Sequence, residues 1–420
     1  MNRFLHGHAT HPDWRVAAAL AAAQIEAQRR LAGHAAHPTL GWVYLTDAYA
    51  AHAAQLLDEL HARWPEVEWV GATGLGIAAS GVEYIDEPAL ALMLCDLAPE
   101  HFRVYSGARP LGRFDAHTAQ VHADASTLDL SALIQDMSER TVTGYLFGGL
   151  ASGRGPARHI AQGVLCGGLS GVAFDALVPL VSRVTQGCQP VGPTRRVTAC
   201  ERNVVTALDG EPALGCLLRD LQLEGVEPRQ ALPQLRQVLV GIRDPLAEPA
   251  VPSTAAARHA QTPVERRGAF GADTRVRHLV GLDPARQGVA IGDELKVGMT
   301  VAFCRRNAQA ARRDLVRICA EVREELEPAL STWLDAAAPA GGDARLAPAP
   351  SAMDITGTIA GAIYVSCVAR GGAHFGGPNA ELATVQQALG DVPLVGLFAA
   401  GEIAHRHLYG YTGVLTVFRR

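Results

Sequence analysis

An α/β fold in two related domains, each a mixed, largely antiparallel sheet covered by helices, follows from three features of this 420-residue sequence. Short apolar runs bounded by Gly-rich turns alternate with amphipathic stretches, the pattern of strands interleaved with helices. A strand–helix–strand plan occurs twice. Trp42-Val43-Tyr44-Leu45, the helix Ala51 to Arg63 and Val67-Glu68-Trp69-Val70-Gly71 form one copy, while Ala362 to Cys367, the helix Glu381 to Leu389 and Val392-Pro393-Leu394-Val395-Gly396 form the other. Gly74-Leu75-Gly76-Ile77 then stands where Gly401-Glu402-Ile403 stands, and Ala89 to Cys95 where Val414 to Phe418 stands. Such an internal duplication decides the fold reading before any single element does. Finally, the length is enough for more than one buried core.

Taken in order, residues 1–37 form a His-rich opening and a helix over Trp14 to Leu31, with His11-Pro12-Asp13 as its start signal. A first domain is expected over 38–236. After its strand–helix–strand unit come the strands Ala89 to Cys95 and Phe102 to Tyr105, a helix over Leu130 to Met137 and a strand over Val142 to Phe147. Gln162 to Gly168 and Gly171 to Phe174 read as a hairpin, and Val181 to Thr185, Val197 to Ala199 and Asn203 to Leu208 extend the antiparallel content. Pro212 opens a helix over Ala213 to Leu223, a position that proline tolerates. A second domain over 237–420 starts with the strand Val238 to Gly241 and includes the helix Ala308 to Leu326, whose Leu315, Ile318, Cys319 and Val322 form one stripe. Two segments, 245–269 and 336–351, are rich in Ala and Pro and are expected to be loops.

Composition narrows the function. A formal charge of -5 with dispersed arginines argues against a nucleic-acid binder, which needs clustered basic residues. Lys296 is the only lysine and is followed by Val297, so a Walker-type phosphate loop is excluded. The eight cysteines include no Cys-x-x-Cys pair, so neither a zinc ribbon nor a thioredoxin motif is present, and no metal or other cofactor is expected. Free, scattered cysteines point to a reducing, cytoplasmic setting. No signal peptide opens the chain, and the Ala-rich stretch Val16 to Ala23 is too short for a membrane span.

The candidate site lies where apolar runs meet Gly-rich turns in the last third. Arg370, beside Gly371 and Gly372, offers a two-point clamp for a carboxylate, and Glu402 offers an acceptor for an amino group. His374 and His405 stand close by in sequence, and Arg154 ends the Gly-rich turn Gly148 to Gly155, where backbone N–H groups could meet an anion. For Arg370 and Glu402 an internal ion pair is the competing reading. Cys367 with His374 or His405, oriented by Glu402, would supply a nucleophile, a base and a third group, so an enzyme is the alternative function. A non-catalytic scaffold, homo-oligomeric through sheet edges, is a further one.

Several stretches together resemble the FIST (F-box and intracellular signal transduction) family. They are His11-Pro12-Asp13-Trp14, Phe147-Gly148-Gly149, Gly187 to Pro193 followed by Leu208-Asp209-Gly210, Val301 to Asn307, Ser366 to Gly371, and Pro393 to Gly396 through Gly401-Glu402-Ile403 to Tyr411-Thr412. The resemblance implies FIST N and FIST C domains and a sensory role in prokaryotic signalling, with a small-molecule ligand such as an amino acid. With no F-box, kinase, cyclase or receiver pattern in the sequence, the signal is expected to pass to a separate partner protein. Where many relatives carry Arg-Asp this chain has Arg306-Asn307, which removes a carboxylate but preserves a helix cap.

Overall fold

The computed structural model describes residues 1–245, 274–326 and 355–420; apart from Pro245, the two expected loops lie outside them. The first unit comprises β1 (Leu5–Thr10), α1 (Trp14–Arg29), β2 (Leu40–Thr46), α2 (Ala53–Arg63), β3 (Glu68–Gly74), a hairpin of β4 (Gly76–Ala79) and β5 (Val82–Ile85), and β6 (Ala89–Cys95). The second has β7 (Phe102–Ser106), β8 (Thr118–Asp124), α3 (Leu130–Glu139), β9 (Leu146–Ala151), a hairpin of β10 (His159–Ala161) and β11 (Val164–Leu165), and β12 (Leu169–Phe174). The third begins with β13 (Leu180–Gln186).

An insertion follows β13. It contains β14 (Cys188–Pro190), β15 (Arg195–Glu201), β16 (Val204–Leu208), β17 (Glu211–Pro212), α4 (Ala213–Asp220), α5 (Pro228–Leu235), β18 (Leu239–Arg243), β19 (Arg275–Asp283), β20 (Gly288–Ile291) and β21 (Thr300–Arg306). The third unit then resumes with α6 (Ala308–Leu326), β22 (Ile359–Cys367), α7 (Ala380–Leu389), β23 (Leu394–Ala399), a hairpin of β24 (Glu402–His405) and β25 (His407–Tyr409), and β26 (Thr412–Arg419).

The three units share one plan. In each, two parallel strands joined across a helix (β2/β3, β8/β9, β22/β23) are flanked by a returning antiparallel strand (β6, β12, β26). Beyond the returning strand lies the unit's first strand, β1, β7 or β13. The hairpins, however, leave their own sheets. β4 pairs with β23, β10 with β3 and β24 with β9, so each six-stranded sheet is completed by a neighbour's hairpin in a closed cycle. Exposed sheet edges invite unwanted pairing, and this exchange covers one edge of every sheet.

The repeat read from sequence as a pair is therefore present three times. A small-residue signature marks all copies: Gly71, Gly148 and Gly396 face Val43, Val121 and Tyr364 at the same register position. A Cβ at any of the three would collide with the carbonyl oxygen of the facing residue. The hairpin expected between Gln162–Gly168 and Gly171–Phe174 forms one turn earlier, between β10 and β11, because Gln162 takes a positive φ of 59° and turns the chain there. β12 instead enters the second sheet between β7 and β8.

The inner faces of the sheets meet in one core, with Trp42 and Tyr44 from the first, Phe147 and Phe174 from the second, and Val365 and Phe418 from the third. The outer faces are covered by α1 and α2, by α3, and by α6 with α7. The stripe expected on α6 is buried as the sequence indicated, and Asp13 caps α1 by accepting the Arg15 N–H at 2.9 Å. In the insertion the antiparallel order β21-β15-β16-β20-β19-β18 closes on itself through a β18–β21 pairing, giving a small barrel with its own core around Val240, Val289 and Phe303. The expected boundary between residues 236 and 237 falls inside this barrel, between α5 and β18.

Gly396→Ala tests the close approach of β23 to β22. It should destabilise the protein by about 3 kcal/mol or more, the range of severe overpacking, read as a lower denaturant midpoint with an unchanged m-value.

Candidate functional site

The C-terminal ends of the parallel strands β22 and β23 open towards the insertion, the end at which α/β sheets characteristically present polar groups. Arg370, three residues beyond β22, is fully buried. Its Nε donates to Glu381 Oε1 at 3.0 Å and its Nη2 sits 3.0 Å from the same oxygen. Nη1 donates to the carbonyls of Thr185 at 3.3 Å and Tyr411 at 3.5 Å, and the guanidinium lies over the Phe375 ring. Glu381 Oε1 also accepts from Tyr364 Oη at 2.6 Å and Ser366 Oγ at 2.9 Å. Burial opposes the guanidinium's charge, but Glu381 overrides it and holds the Arg370 pKa above its ordinary value.

A second carboxylate braces this pair from a distant part of the chain. Glu83 on β5, brought in by the hairpin exchange, accepts the N–H groups of Glu381 at 2.9 Å and Leu382 at 3.1 Å through Oε1, and that of Gly372 at 3.2 Å through Oε2. It thereby satisfies the first free donors of α7. Burial nevertheless raises its pKa.

Glu402 lies at the other side of the cluster. Its Oε2 accepts from Thr412 N at 3.1 Å and Oγ1 at 2.7 Å, and its carboxyl meets the Cys367 thiol. Complete burial pushes Glu402 up to about 8, against the pull of Thr412 and Arg370. Burial, then Glu402, push the Cys367 thiol up to about 12, so at neutral pH it is protonated and a weak nucleophile.

Of the residues singled out in the sequence, Cys367, Arg370, Gly371, Gly372, His374 and Glu402 fall within this region. His374 is half-buried beside Arg306 and Arg370, and burial followed by those two charges lowers it to about 4. His405 packs instead against the Tyr145 ring at 4.6 Å, at the far end of β24. Arg154 is exposed and ion-paired with Asp47 and Asp86, which follow β2 and β5. Asn307 caps α6, accepting the Ala310 N–H at 2.8 Å. Glu381, Glu83, Gln186 and Thr412 were not foreseen: Glu381 reads as an ordinary acidic first-turn residue, and Glu83 is nearly 300 residues from its partners.

Four buried side-chain atoms of this region lack a hydrogen-bond partner: Thr185 Oγ1, Gln186 Oε1, Glu381 Oε2 and Glu402 Oε1; Arg370 Nη2 is engaged only through its ion pair with Glu381 Oε1. The barrel covers them. Gln186 Nε2 donates to Thr274 O, Tyr411 Oη meets His278 Nε2 at 2.7 Å, and Arg277 donates to Leu408 O. A surface cavity of about 340 Å³ lies elsewhere, lined by Asp115, His117, Val142, Asp175, Ala176 and Leu177. Among the described residues no group of three or more His, Cys, Asp or Glu side chains is arranged to hold a metal.

The profile of the FIST N domain matches residues 39–211 and that of the FIST C domain residues 214–405. This chain belongs to the FIST family. An uncharacterized protein of Mycobacterium tuberculosis H37Rv is 30% identical over 430 residues, covering 98% of both chains, and one of Mycobacterium bovis is 30% identical over 434 residues, covering 98% of this chain and 97% of the relative. FIST domains are associated with sensing in signal transduction. The boundary between the two FIST profiles falls in the inserted barrel, so both FIST domains contribute strands to it.

Two substitutions separate the roles of the buried carboxyls. Glu381→Ala leaves Arg370 charged and without its ion-pair partner, and should cost about 3–5 kcal/mol, the loss typical of a broken buried pair, seen as a lower thermal midpoint. Glu402 behaves differently. An acid whose pKa is about 8 in the folded chain and near its usual 4.5 in the unfolded one keeps its proton only when folded, so stability falls as pH rises between those values. Glu402→Gln keeps the neutral shape. It should leave stability at pH 5 little changed and flatten the decline towards pH 8, a slope of up to about 1.4 kcal/mol per pH unit in the parent protein; melts across that range provide the comparison.

Proposed function

We propose that this FIST protein is a cytoplasmic sensor whose ligand is a small zwitterion such as an amino acid, held at the Arg370–Glu381–Glu402 cluster. The supporting observation is the set of four unpartnered polar atoms around Arg370, because buried polar groups are almost always satisfied. Their chemistry is two-signed. Arg370 Nη2, beside Glu381 Oε1, has a second N–H to offer a carboxylate, while Glu381 Oε2, Glu402 Oε1 and Gln186 Oε1 offer acceptors to an ammonium group. Both charged ends of an α-amino acid would therefore find counterparts within one cluster of side chains.

Closure by the barrel suggests how binding becomes a signal. Arg370 and Glu402 are inaccessible, so a ligand enters only when the barrel contacts at Tyr411 and Gln186 loosen. A change in barrel position would then be what a separate signalling protein reads. An ammonium ion beside Glu402 would also draw off its proton, making binding tighter as pH rises towards 8.

A thermal-shift screen of the purified protein against the common L-amino acids tests this reading. A ligand at a hundredfold excess over its Kd should add about 2.7 kcal/mol of apparent stability, and Gln186→Ala, which spares the Arg370–Glu381 pair, should weaken that gain. If no amino acid raises the midpoint and native mass spectrometry finds none retained, the ligand assignment is wrong.

A further inference from the structure

Two thiols outside the Glu402 cluster lie on neighbouring strands where the barrel meets Tyr411 of the third unit. Cys188 on β14 and Cys304 on β21 are 3% and 0% exposed and belong to one small apolar cluster with Leu239 and Val276. The register pairs Cys188 with Arg306 and Pro190 with Cys304, which puts both sulfurs on the same face, one diagonal step apart across adjacent antiparallel strands. Both pack in the same apolar cluster, and the neighbouring Cys188 thiol, followed by burial, raises the Cys304 pKa.

We propose that Cys188 and Cys304 form a two-coordinate site for a soft monovalent d¹⁰ cation, copper(I) being the physiological representative. Diagonal cross-strand positions are separated by about 7–8 Å, beyond the roughly 4.4–6.8 Å between the Cα atoms of ordinary disulfides. A metal between two sulfurs relaxes that demand, since two bonds of about 2.3 Å each, the zinc–thiolate length, span roughly 4.6 Å. Thiolates select soft cations, and hard cations require oxygen ligands that this cluster lacks. Zinc needs four ligands, whereas no third His, Cys, Asp or Glu joins the pair among the described residues.

The charge also balances. Two thiols and one copper(I) give a bis-thiolate with a single negative charge and release two protons. Arg306 stands directly across from Cys188 with its guanidinium over the Tyr411 ring, in position to neutralise that charge. Cys188 is separated from β13 by Gly187 alone, and Cys304 lies near the start of α6, so a bound ion would tie together the two strands by which the barrel leaves and re-enters the third unit. This inference stands apart from the amino-acid reading and survives its failure.

Reduced protein should be titrated anaerobically with copper(I) in competition with a chromogenic copper(I) chelator. A single copper should be withdrawn from the chelator per chain, with ultraviolet thiolate-to-copper charge-transfer absorption and two sulfur neighbours in X-ray absorption. Cys188→Ser and Cys304→Ser should each abolish the tight site, while Cys166→Ser, which removes the exposed thiol, should retain it. Alanine variants with unchanged far-ultraviolet circular dichroism guard against loss through misfolding. Failure to compete with the chelator, retention of copper by Cys304→Ala, or mild oxidation joining residues 188 and 304 in a disulfide without copper uptake would overturn the assignment.

Discussion

The rest of the molecule depends on the cyclic exchange of hairpins among three sheets. β4–β5 completes the third sheet, β10–β11 the first and β24–β25 the second. The glycines at 71, 148 and 396 make the parallel pair in each unit close enough to hold this geometry, and the aromatic core exists only because all three inner faces converge. Local helix propensity matters less here than strand pairing over long sequence distances.

The same exchange builds the polar cluster. Glu83 reaches the start of α7 because its hairpin is lodged beside β23, and there it meets backbone donors that would otherwise face a buried, unsatisfied end. Glu381 is then free to hold Arg370, while Glu402, on a hairpin committed to the second sheet, reaches back to Thr412 at the start of β26. Two hairpins belonging to different sheets therefore contribute to one cluster. Its unusual chemistry, an arginine and three carboxyls almost wholly out of water, is a consequence of topology.

Much of this was legible in the sequence, and the limits have physical causes. Apolar periodicity located α6 and the strands β2, β3, β6, β22, β23 and β26, because each buries a continuous face, whereas β1, with His6 and His8, reads as a polar entry. The remaining copy of the repeat carries Phe147-Gly148, matching Val70-Gly71 and Val395-Gly396, but the strand expected from Val142, its second parallel strand, starts at Leu146, because Gly144 with φ 64° turns the chain first. Arg370 and Glu402 stood out by their turns. Glu381 and Glu83 did not, since burial of a charge is decided by partners that no local pattern reveals.

The exchange bears on how this chain comes to be folded. β4 emerges more than 300 residues ahead of β23, the strand that receives it. During synthesis the first hairpin must therefore wait, with one edge open, until nearly the whole polypeptide has appeared, and long-range pairings of this kind are slow and prone to aggregation. The FIST N portion is consequently no independent folding unit: a fragment ending near residue 211 would lack both the hairpin that completes the second sheet and the sheet that receives its own first hairpin. Such topology ties completion of the fold to the appearance of its late strands, and leaves the early ones with open edges until then.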